Sequence, residues 1–300
     1  MAVSIAVLAF LGMVVLLLHS RRENFGSTSS MEIVAARYNE SLEWLKDAPF
    51  QGIPHTVYNK GNNDDFYQTT TLLSVVPLDN VGREVHAYLY HIVNRYDDLA
   101  DLTIFLPGSA DLPNKFGRAQ HLVKTVRTNP LTTFSGSRSE GNIKDGLYDF
   151  SIDKYMSSHG KNKTANADDS MLVSSVRPFG KWYETLFGPD AVSYIIPYNA
   201  MFAVTRDDIR SKPKSHYERL LTEVDAHQNH ETVHYFERAW ETVFFTQPKS
   251  TTVYVDWNAN IWVGEPTTGV AGSFHTTSLF QHSNKRTPPG ERSEPLCKSS

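Results

Sequence analysis

Between residues 32 and 108 the chain alternates between two kinds of hydrophobic pattern, and this limits what it can fold into. EIVAAR (32–37) is a short, nearly continuous apolar run of the kind found in a buried strand. It leads at once into YNESLEWLKDA (38–48), where Leu42 and Leu45 flank Trp44 at helical spacing. HTVYNKG (55–61) reads as a second strand ending in a Gly turn, and REVHAYLYHIVNRYDDLA (83–100) puts Val85, Leu89 and Ile92 on one helical stripe. LTIFLPG (102–108) is a β-branched and aromatic run stopped by Pro-Gly. Strand and helix in alternation predict an α/β fold, with a mixed, mostly parallel sheet and helices on both faces.

Residues 128–175 are rich in Ser, Thr, Asn, Gly and Asp and keep no period, which predicts a long irregular excursion. Order returns with a helix in PFGKWYETLFG (178–188) and strands in AVSYIIPYNAMFAVT (191–205). Helices follow in PKSHYERLLTEV (213–224) and HETVHYFERAWETVFF (230–245), and a late strand in STTVYVDW (250–257).

The ends differ from the middle. An apolar run from Ala2 to Leu18 is just long enough to cross a bilayer, no basic residue precedes it, and Arg21-Arg22 stands where a small-residue cleavage site would be. The expectation is a transmembrane signal anchor over 1–20, a polar stem over 21–31, one folded domain over 32–280 and a disordered, Pro-rich tail over 281–300. The membrane is thus a partner through residues 2–18. A formal net charge of −4 with scattered Lys and Arg offers no basic stripe, so nucleic acid is not an expected partner. Cys297 is the only cysteine, which excludes intrachain disulfides and zinc sites built from several thiolates.

Two groups of residues suggest chemistry. His230-Glu231-Thr232-Val233-His234 matches the H-E-x-x-H pattern of zinc proteases, but Glu237 and Trp240 occupy the Gly and third-His positions of the longer metzincin motif. On a helical wheel Val233, Phe236, Trp240, Val243 and Phe244 form the apolar face, with His230, His234, Glu237 and Glu241 in a stripe beside it. Three readings fit: a zinc site, a plain polar stripe, or a stripe lining a catalytic cleft.

Elsewhere, Arg37, Asn39 and Glu40 fall where a strand ends and a helix pattern begins, the place where open α/β sheets bind ligands. A diphosphate on a helix N-terminus with Arg37 as donor and simple capping by Asn39 explain this equally well. Asn59-Lys60 and Gly82-Arg83 repeat the geometry and raise the expectation of a cleft.

EIVAARYNESLEWL, VYNKG, NVGREVHAYLYHIV, LADLTIFLPG, YNAMFAVTRDDI and FERAW, in that order, resemble the uncharacterised domain-of-unknown-function family numbered 3431. That family is itself similar to GT-A-type nucleotide-sugar glycosyltransferases. The resemblance implies a membrane-anchored, glycosyltransferase-like protein with a nucleotide sugar and an unknown acceptor as partners. The alternative is a non-catalytic nucleotide- or sugar-binding domain of the same fold. The resemblance places Arg37, Asn39 and Glu40 by the nucleotide with Lys60 and Arg83 beside them, Tyr198 and Asn199 on the acceptor side, and Glu231 or Glu237 as the catalytic carboxylate; Asn59, at the end of its strand pattern, is a further candidate contact. The resemblance also implies a divalent cation, Mn or Mg, held by an Asp-x-Asp pair after the strand 102–106. This chain has no Asp-x-Asp, and the stretch there is Pro107-Gly108-Ser109-Ala110-Asp111, so the metal ligands are unknown. Anchored glycosyltransferases imply a single-pass protein whose main domain lies in the secretory lumen, against the pull of Arg21-Arg22 toward the cytoplasm.

Overall fold

The computed structural model describes residues 30–152, 171–256 and 261–263, with backbone only at Trp262. The expected anchor, most of the stem and the tail lie outside them, and no helix among the described residues is long and apolar enough to cross a membrane.

The described chain is a mixed α/β fold around one eight-stranded sheet. Its strands, in chain order, are β1 (Met31–Arg37), β2 (His55–Asn59), β3 (Leu72–Pro77), β4 (Leu102–Pro107), β5 (Thr133–Ser135), β8 (Phe202–Thr205), β9 (Val253–Val255) and β10 (Ile261–Val263). A short antiparallel pair, β6 (Ser137–Arg138) and β7 (Ile195–Ile196), lies apart from it. The sheet order is β10-β9-β5-β8-β4-β1-β2-β3. β1 pairs in parallel with β2 and β4, β2 with β3, and β5 with β9, whereas β8 runs antiparallel between β4 and β5 and β10 closes the far edge antiparallel.

Among the described residues seven α-helices accompany the strands: α1 (Arg83–Arg95), α2 (Phe116–Thr128), α3 (Ile143–Gly146), α4 (Phe179–Phe187), α5 (Arg206–Arg210), α6 (Lys214–Leu221) and α7 (Glu231–Phe244). Successive strand residues point to opposite faces, so each central strand feeds two cores. Val34, Tyr58, Phe105, Phe202 and Val204 join the core built with α1, α4, α6 and α7. Ile33, Ala35, Val57, Ile104, Leu106, Met201 and Ala203 join the second, with Leu42, Trp44, Leu45 and the α2 residues Ala119, Leu122, Val123 and Val126. This division is why β1 and β4 read as continuous apolar runs.

Three expectations change. The helix expected over 38–48 is a single 3-10 turn, Glu43–Lys46, entered through Leu42 in a left-handed conformation (φ 56°) and stopped before Pro49. Its Trp44 is buried, and its indole N–H donates to Gly108 O at 2.9 Å, tying this segment to the end of β4. The excursion over 128–175 contains a central strand, β5, whose three residues are too few to show a period. The helix α2, whose apolar residues recur every three to four positions, and the edge strands β3 and β10 were not anticipated.

Candidate functional site

The chain leaves β1 outward through β2 to β3, then returns through α1 to β4 on the other side of β1. Connections thus diverge above the carboxyl ends of β1 and β4, and such a switch point opens a crevice in a parallel sheet. The β1 end is followed by Glu40, the β2 end by Lys60 and the β4 end by Gly108. The antiparallel β8 enters at the same edge through Tyr198-Asn199-Ala200.

Gly108 keeps this crevice tight: a Cβ there would stand 2.8 Å from Glu40 Oε2 and 3.0 Å from Ala36 O. Glu40 Oε2 accepts from the backbone N–H groups of Tyr38 (2.7 Å) and Asn39 (3.1 Å), while the Asn39 side chain is exposed.

Arg37 is only 1% exposed and its donors are already engaged. Nε donates to Glu40 O (2.8 Å), Nη1 to Asn59 Oδ1 (2.6 Å) and Asn63 O (2.8 Å), and Nη2 to Asn63 Oδ1 (2.7 Å). Asn59 Nδ2 in turn reaches Asn63 O and Asp64 Oδ1, both at 2.9 Å. Nε thus ties down the turn after β1 and the two Nη groups the turn after β2, so Arg37 holds both turns in shape with its N–H donors already spent.

Lys60 is buried under the start of α1, where Nζ donates to Val81 O and lies 3.3 Å from His86 Nδ1. Burial lowers its pKa to about 7, against the raising influence of Glu84 and Asp79. Burial, with Lys60 nearby, lowers His86 to about 4. Arg83 opens α1 at a positive φ of 50° and donates through Nη2 to Asn229 Oδ1 at 2.5 Å.

The two candidate carboxylates separate completely. Glu231 has no exposed side-chain surface: Oε1 accepts from Ile152 N (2.8 Å) and Tyr235 OH (2.9 Å), and Oε2 from Ser174 N (2.9 Å), with Arg177 Nε at 3.1 Å. It fastens α7 to the segments around residues 152 and 174 and has no surface to present to a substrate. Glu237 keeps a quarter of its side chain accessible. Burial pushes its carboxyl pKa up, opposed by the Asn199 N–H, which donates to Oε1 at 2.8 Å, and by Arg238. Asn199 and Ala200 both hold positive φ (69° and 51°), a strained turn that presents this N–H to the carboxylate. Arg238 lies over the rings of Phe150 (4.1 Å) and Tyr198 (5.6 Å).

Sequence reasoning missed Lys115, immediately before α2. Its Nζ donates to Ser109 Oγ at 2.8 Å, and burial lowers its pKa against the opposing charges of Glu84, Glu40 and Glu237. The helical period of FGRAQHLVKTVRT was the signal that would have led to it.

The H-E-x-x-H pattern does not form a zincin site. His230 caps α7 from outside the helix, its Nδ1 accepting from Thr232 N at 3.2 Å, and Glu231 cannot reach a water. His234 is held neutral, its pKa lowered to about 3 by burial and by Arg83 and Arg238. Among the described residues no three His, Cys, Asp or Glu side chains are placed to hold a metal ion. In the loop after β4 the polar side chains are Ser109, an exposed Asp111, an exposed Asn114 and Lys115, which do not fit a divalent cation.

No curated protein matches the chain. A family profile described as "Protein of unknown function (DUF3431)" matches residues 33–256, which run from β1 to the end of β9 and take in every group around the crevice, and the chain belongs to that family.

Proposed function

We propose that the crevice above β1 and β4 binds a nucleotide sugar and that the chain transfers its glycosyl group to an acceptor hydroxyl. The observation that carries this reading is Glu237: an accessible carboxylate at the switch point whose pKa is raised by burial, held by the Asn199 N–H. A base of raised pKa is the stronger proton acceptor while it remains ionised at neutral pH. Glu237 takes the proton of the acceptor hydroxyl as that oxygen bonds to the anomeric carbon. The bond from that carbon to the diphosphate breaks, and the diphosphate leaves with the electron pair through an oxocarbenium-like transition state. Of the cations expected by the donor, Arg83 and Lys60 remain for this charge, and Arg37 shapes the wall beside them. Tyr198 and Asn199 line the acceptor side. The GT-A type is supported by the parallel β1–β4 core with its switch point and by the antiparallel β8 inserted beside β4.

The test is the full chain against a panel of nucleotide sugars, with binding and donor hydrolysis measured separately. Glu237→Gln is expected to bind the donor and lose turnover, and absence of binding to every donor sinks the reading. The absence of an Asp-x-Asp pair favours the second reading, a non-catalytic nucleotide- or sugar-binding domain. In that case wild type and Glu237→Gln bind alike and neither turns over. The proposed setting is a single-pass membrane protein anchored by residues 2–18, with the domain in the secretory lumen.

A further inference from the structure

We infer that the Lys115 ammonium is the built-in cation of the β1–β4 crevice, holding the diphosphate of a nucleotide ligand in the place where GT-A-type proteins use a divalent metal. The inference rests on the nucleotide reading and sharpens it. The loop after β4 is where the resemblance puts a metal-binding acidic pair, and this chain has Pro107-Gly108-Ser109-Ala110-Asp111 there. Lys115, from the end of the same loop, reaches back across it: Nζ donates to Ser109 Oγ at 2.8 Å.

Ser109 is a neutral partner and takes one of three ammonium protons. Among the described residues Nζ forms no ion pair, although three carboxylates act on it from around the crevice. Two of them are committed elsewhere: Glu40 Oε2 accepts from the N–H groups of Tyr38 and Asn39, and Glu237 Oε1 from that of Asn199. A half-buried ammonium fixed by one neutral hydrogen bond, with two donors left, suits an anion rich in acceptor oxygens. Burial lowers its pKa, and the surrounding carboxylates oppose that shift. Its position just before α2 also sets it at the β4 end of the switch point.

The experiment is calorimetric titration of the full chain with UDP, GDP and inorganic pyrophosphate, in EDTA and again with Mn²⁺ or Mg²⁺. The expected result is binding in EDTA that changes less than about twofold on adding metal. Lys115→Met should weaken it by about tenfold or more and Lys115→Arg by much less, as befits a charge-assisted contact. Binding that requires metal, or that Lys115→Met leaves intact, overturns the inference and leaves the nucleotide reading standing. No binding of any of these probes, with or without metal, overturns both. Should Lys115→Met fail to fold by circular dichroism, Lys115→Arg and the metal comparison on the wild-type chain decide it.

Discussion

Replacing Glu231 by Gln tests whether this residue is a fastening or a catalyst. The carboxylate is fully buried, accepts from two backbone N–H groups and one tyrosine hydroxyl, and is ion-paired with one guanidinium. Gln is nearly isosteric, but only one of its two terminal atoms accepts. Whichever way the amide is turned, its NH₂ faces two donors, either Ile152 N and Tyr235 OH or Ser174 N and Arg177. Two charge-assisted contacts of about 1.5–3 kcal/mol each are lost, two hydrogen bonds on the Oε1 side or one hydrogen bond and the ion pair on the Oε2 side. Arg177 is 30% exposed and recovers part of its loss from water. The net cost is about 3–5 kcal/mol, the range for breaking one side of a buried pair. For a domain of this size that corresponds to a fall in Tm of roughly 10 °C. The assay is urea denaturation followed by tryptophan fluorescence, alongside nucleotide binding measured well below the midpoint. A variant as stable as wild type that has lost ligand binding or turnover would refute the reasoning, since it would place Glu231 in the site and not beneath it.

Trp240→Ala should cost about 3–5 kcal/mol by the same denaturation assay, because the indole is fully buried between Tyr88, Phe202 and Phe236. His234→Ala, half-buried beside it on α7, should cost less than about 1.5 kcal/mol and leave ligand binding unchanged. His91 is buried with Nδ1 3.0 Å from Tyr58 OH, and burial, with Arg95, lowers its pKa to about 3. The unfolded chain therefore takes up a proton below pH about 6.5 that the folded chain refuses, so stability falls as pH drops from there toward 3 by up to about 1.4 kcal/mol per pH unit. His91→Phe should flatten that slope, and equal slopes would remove His91 as its source. Asn162 in the sequon Asn162-Lys163-Thr164 should carry a glycan if the domain lies in the lumen, and a protease-protected, unmodified domain facing the cytosol would reverse the topology.

The parallel core was legible because its strands are buried on both faces: EIVAAR and LTIFLP carry their information in every residue. β5 was not, since three residues cannot display a period, and it is held in the middle of the sheet by pairing with β8 and β9. The 38–48 segment misled because Leu42, Trp44 and Leu45 have helical spacing but serve another purpose. They pack under the sheet from a 3-10 turn whose Trp44 answers the Gly108 carbonyl, a partner 64 positions away.

The site was legible as a location and much less so as an assignment of roles. Strand ends marked by Arg37, Lys60 and Glu40 do gather at one edge, yet residue type could not tell a donor free for a ligand from one spent on a turn. Arg37 depends on Asn63, whose position is fixed only once β1 and β2 are paired. The carboxylates of α7 could have been separated from the sequence. Glu231 and Glu237 are six residues apart, and at about 100° per residue they point about 120° away from each other, too far to share one reaction centre. His230 lies outside the helix as its cap, so the H-E-x-x-H spacing never becomes two imidazoles on one face. What the pattern recorded was a helix start: a capping residue, a first-turn carboxylate bound to backbone N–H groups, and an apolar stripe. The carboxylate with access to the crevice comes six residues later, about one and two-thirds turns, where the strained Asn199-Ala200 turn meets it.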